Sequence, residues 1–135
     1  MRHSMLILTL ASVVVGVPAH AHHSIAAVYD STQQVTIEGV ITQFRFVNPH
    51  PYLMMDDADS SGRPRSWRLE LDNRFELVQI GVTEETLKPG DRIVVSANPA
   101  RNDSRSMYVR RLDRPADGFR YEQVGFEPKV SFLPL

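Results

Sequence analysis

The chain has no cysteine, one tryptophan and, after its amino-terminal end, no long apolar run. Without cysteine there is neither a disulfide framework nor a thiolate metal site, so any metal must be held by histidine, carboxylate or an amino terminus. An excess of one charge is lacking too, since 15 Lys and Arg face 16 Asp and Glu. Such a balance creates no field to gather a polyanion, so nucleic acid is not an expected partner. No G-x-S-x-G or similar nucleophile motif surrounds a serine, and the expectation is a protein that is not an enzyme. Asp56, Asp57 and Asp59 have the charge of a calcium loop without its glycine and distal glutamate, and are expected at a solvated hairpin end.

What is present begins with the pattern of an export signal. Arg2 supplies a basic start, MLILTLASVVVGV (residues 5–17) an apolar stretch, and Ala19-His20-Ala21 a small-residue cleavage site. The apolar stretch falls short of the ~20 residues that a membrane helix needs. The expected product is periplasmic or secreted, without a membrane span, and begins at His22 once residues 1–21 are removed. Loss of Arg2 leaves 14 basic residues against 16 acidic ones.

The remaining length suits one small domain. Residues 22–34 lack sustained periodicity and read as an arm. Residues 35–48 alternate, with Val35, Ile37 and Ile41 on one face and Val40, Phe44 and Phe46 on the other, so the apolar face changes sides near Gly39. A glycine there suits a long strand that bends sharply. PYLMMDD (51–57) and SWRLELD (66–72) read as a hairpin around a polar turn. Asn73 caps a short helical segment that ends near Gly81, and KPGD (88–91) turns into the strand RIVVSANPA (92–100). MYVRRLDRP (107–115) is the last clear strand, and the packing of residues 116–135 is left open. Three strands, a helical segment and two strands predict an all-β fold with one short helix, a small five-stranded OB-like Greek-key barrel over residues 35–115. A split barrel of different connectivity is the alternative.

The start HHSIAAVYD, the strand VTIEGVITQFRFVNPHPYL and the later LKPGDRIVVSANPARNDS together resemble a family of small exported bacterial proteins, a domain of unknown function. The resemblance spans most of residues 22–112. Residues 22–24 fall on its HHS start, residues 48–50 on its NPH motif, and Pro51-Tyr52 depart from the small and aromatic residues that often follow. The resemblance implies export and a shared fold, and no established reaction.

Histidine is the residue type that carries chemistry here. Cleavage after Ala21 gives His22 a free amine, and an amine and imidazole on one residue chelate copper(II), which favours nitrogen in a tetragonal plane. His23 follows, and His50 is the only histidine outside the amino-terminal region. The candidate metal ligands are therefore His22, His23 and His50, with copper as the candidate metal. A cut after Ala19 instead places histidines at positions one and three, which also suits copper. Binding is expected to strengthen from mildly acidic to neutral pH, as protons leave amine and imidazoles. The competing expectation is a protein- or small-ligand-interaction domain with structural histidines, His50 capping a turn against Tyr52. Trp67, Phe44 and Phe46 are expected in the core, and most arginines on a solvated barrel surface.

Overall fold

The computed structural model describes residues 24–125 and 127–135. Its elements are α1 (Ile25–Val28), β1 (Val35–Arg45), β2 (Tyr52–Ala58), β3 (Pro64–Glu70), α2 (Arg74–Gln79), β4 (Arg92–Pro99), β5 (Ser106–Arg114), β6 (Phe119–Val124) and β7 (Glu127–Phe132). The strands lie in the order β3-β2-β1-β4-β5-β6-β7, and a further pairing of β3 with β5 closes the first five into a barrel. Closure is parallel, with Leu69 opposite Met107 and Glu70 opposite Tyr108, whereas every other pairing of named strands is antiparallel. The expected all-β, OB-like barrel with one helical segment between its third and fourth strands is the fold observed. Among the described residues no helix is long and apolar enough to cross a membrane.

β1 is the hinge of the barrel because one strand serves two partners. Its first half pairs with β4, from Val35 to Val40, and its second half with β2, from Val40 to Arg45. Gly39 sits at this exchange, where a Cβ would strike the carbonyl oxygen of Asp56. The apolar face does not change sides at that glycine, however. The irregularity falls between Ile41 and Gln43, with Thr42 as the extra residue, and it returns Phe44 to the side of Ile41. Accordingly Ile37, Phe44 and Phe46 all pack against one core.

That core is built from alternate residues of the strands: Leu53 and Met55, Leu69, Ile93, Val95 and Ala97, and Met107, Val109 and Leu112 are all buried. Helix α2 adds Leu77, and Val82 and Leu87 follow from the connection to β4. Asn73 caps α2 as its sequence suggests, its side-chain oxygen accepting from the Glu76 amide at 2.9 Å. The connection ends in a turn fastened by Arg114, which bonds the Thr86 carbonyl at 2.8 Å and the Asp91 carboxylate at 2.6 Å.

Strands continue beyond Pro115. β6 pairs with β5 and β7 with β6 in a hairpin, and Phe119 and Tyr121 of β6 belong to the core cluster. The arm is also structured, as one helical turn followed by Tyr29, which bridges to Ala100 and is buried. Asp57 departs from the expected solvated hairpin end. It pairs with Arg65, which holds its carboxyl below the usual carboxylate range.

Gly39→Ala is expected to lower stability by about 1–3 kcal/mol, because the added methyl must push back the β2 backbone rather than a mobile side chain. Denaturant unfolding measures this; an unchanged midpoint would mean that the two strands do not approach so closely.

Candidate functional site

The turn between β1 and β2 holds His50 between two prolines. Its backbone is pinned from both sides, since the Pro49 carbonyl accepts from the Arg74 amide and the Pro51 carbonyl from the Leu71 amide, each at 2.9 Å. The Asn48–Pro49 peptide is cis. With the backbone fixed, the imidazole is fixed in turn: Nδ1 lies 3.1 Å from the Leu71 carbonyl oxygen. A carbonyl oxygen can only accept, so Nδ1 must carry the proton and the neutral ring keeps its lone pair on Nε2. The Glu70 carboxylate stands 3.8 Å from the same Nδ1. A histidine whose inner nitrogen is held by a carbonyl keeps its outer nitrogen as a lone-pair donor, the form a metal requires. Beside it, the Arg68 guanidinium stacks on the Tyr52 ring, 3.5 Å from its centroid.

His50 borders a cleft of about 510 Å³ that Ile25, Val28 and Tyr29 of the arm also line. Tyr29 fastens the arm there, its hydroxyl donating to Glu70 Oε2 at 2.6 Å. Burial first, and then Glu70, hold the Tyr29 hydroxyl well above the ordinary phenol range, so it remains a donor throughout neutral pH. Glu70 thus holds the arm through Oε2, while its Oε1 stands 3.8 Å from the imidazole. On the rim, Arg68 and then Arg45 draw the Tyr52 hydroxyl below its ordinary value.

His22 and His23 lie outside the described residues, as does the segment read as an export signal. The chain enters the described structure at Ser24, and the next residue, Ile25, lines the cleft that holds His50. Among the described residues no group of three His, Asp or Glu side chains is arranged to hold a metal ion. Tyr29 and Glu70 were not anticipated. Tyr29 sits in a stretch without periodicity, and Glu70 acquires its role through a strand register that local sequence does not set.

A model of the family of unknown function DUF6152 matches residues 10–108. The chain belongs to this family. The DUF6152 match takes in the arm, the turn that carries His50 and all five barrel strands up to the point where β5 pairs with β3. Only the end of β5 and the β6–β7 hairpin lie past it. No curated protein matches the chain. Membership of DUF6152 brings no reaction with it, so chemistry must be argued from the side chains.

Tyr29→Phe is expected to cost about 1.5–3 kcal/mol, because it removes a hydrogen bond to a half-buried carboxylate. It is also expected to speed amide hydrogen exchange at Asp30, which donates to the Pro99 carbonyl where the arm meets the barrel. An exchange rate equal to that of the parent would separate the arm from the Glu70 contact.

Proposed function

We propose that the mature chain is an exported OB-like binding module, not an enzyme, that takes one copper ion through His22, His23 and His50. The observation that supports this reading is the clamped imidazole of His50, which offers Nε2 as its one free donor at the border of the cleft that the arm enters. Removal of residues 1–21 supplies the rest. The new amine and the imidazole of His22 chelate from one residue, His23 adds a second imidazole, and His50 closes the set from the barrel. Copper(II) is the metal such nitrogen donors favour.

A barrel-borne histidine adds what a free peptide lacks. His50 is oriented before the metal arrives, so the entropy of ordering one ligand is already spent in folding the turn. The metal would at the same time tether the arm and add to its attachment through Tyr29 and Glu70.

The test is a copper(II) titration of chain beginning at His22, read by native mass spectrometry and electron paramagnetic resonance. One retained copper is expected, and His50→Ala should weaken retention by about 10-fold or more and alter the spectrum. Retention should also fall in a chain with one residue added before His22, where the amine is displaced. No retained copper, or a spectrum that His50→Ala leaves unchanged, would contradict the proposed site.

A further inference from the structure

A second cleft, of about 570 Å³, lies between the arm and strands β4, β5 and β6. Asp72, Glu76, Asn98, Tyr108, Arg110 and Gln123 line it. Burying polar groups is unfavourable unless each finds a partner. Yet Asp72, Asn98 and Gln123 are three of the five buried polar or charged residues among those described, and Tyr108 is only 3% exposed. Most of their bonds can be followed. Asp72 accepts from the Asn73 amide at 2.6 Å and from Gln123 Nε2 at 2.7 Å; Gln123 accepts from the Tyr121 hydroxyl at 2.8 Å; Asn98 donates to the Gln33 carbonyl at 2.6 Å. One buried atom of this cleft is left over: Glu76 Oε2 has no hydrogen-bond partner among the described residues. Tyr108 is buried and lines the cleft beside it.

Opposite charges line the same space without meeting. Neither Asp72 nor Glu76 pairs with an arginine or lysine among the described residues. Burial, and then the adjoining Asp72 carboxyl, hold Glu76 above the usual carboxylate range. Arg110 owes its place to a bulge. Ser96 pairs with Arg111 and Ala97 with Val109, so Arg110 is the extra residue of β5 and joins Tyr108 in lining the cleft. It makes no ion pair among the described residues, unlike its neighbour Arg111, which pairs with Asp113.

A carboxylate pair and a free guanidinium on one concave surface match a molecule that carries both charges. We propose that this cleft binds a small zwitterion of the amino-acid class, its ammonium group against Asp72 and Glu76 and its carboxylate on Arg110 and the Tyr108 hydroxyl. The rings of Tyr29 and Tyr108, with centroids 5.6 Å apart, provide an apolar wall for the carbon chain between the charges. The site uses none of the proposed copper ligands, so either reading can fail alone.

Calorimetric titration of the mature chain, with a chelator present to exclude metal, tests this with glycine, β-alanine, γ-aminobutyrate and ε-aminocaproate. Butylamine and butyrate serve as single-charge controls. At least one zwitterion is expected to bind saturably, on the order of tenfold tighter than either control, since each lost charged hydrogen bond weakens binding by about that factor or more. Glu76→Gln and Arg110→Ala should each reduce the affinity about tenfold, with circular dichroism confirming the fold. Three results would overturn the proposal: no binding across the series, a control that binds as tightly as the zwitterions, or saturable binding that either variant leaves unchanged.

Discussion

The parallel pairing of β3 with β5 is the contact on which the rest of the molecule depends. It turns an open sheet into a closed barrel, and it sets Glu70 opposite Tyr108. Those two residues face different tasks. Glu70 reaches the arm and the His50 imidazole, whereas Tyr108 packs its ring against Tyr29 and lines the second cleft. A shift of β3 by one residue would send Glu70 into the barrel and bring Leu69 out, and would part Glu70 from Tyr108. The apolar interior therefore protects the placement of the polar residues outside it.

The arm connects this core to the two clefts. One buried aromatic, Tyr29, lies between the two clefts, bonded to Glu70 on one side and stacked near Tyr108 on the other. Backbone bonds from Asp30 to Pro99 and from Arg101 to Val28 hold the neighbouring turns. Arg101 adds a bond from its side chain to the Ala26 carbonyl, and Asn98 one to the Gln33 carbonyl. Occupancy of either cleft would add to its attachment, and changes in the arm would be felt at both.

Much of this architecture can be read from local pattern. The alternation of Ile93, Val95 and Ala97, the cap at Asn73 and the KPGD turn each mark their element, and their order suffices for the barrel class. Bulges were harder to place. Gly39 drew attention as the site of a face change, although its missing Cβ serves a close approach and the extra residue is Thr42. The run Val109-Arg110-Arg111-Leu112 carries a visible trace of the second bulge, with two charged residues between inward apolar ones, but the trace gains meaning only once the partner strand is known. Phe119 and Tyr121 were unplaced for the same reason: an added hairpin needs an edge, and edges are a property of topology. The pairing of Asp57 with Arg65 follows from register across the β2–β3 hairpin. Of the candidate site, His50 was legible as a lone histidine in a proline-bounded turn. Its orientation was not, because the Leu71 carbonyl that sets it belongs to the far end of a hairpin.

The barrel clamps His50 by its inner nitrogen and, among the described residues, leaves the outer one without a partner. Nitrogen-resolved NMR of the neutral form of the His50 imidazole, without metal, measures this directly. The expected result is a proton on Nδ1 and a bare lone pair on Nε2. A ring protonated on Nε2, or one averaging freely between the two tautomers, would contradict it.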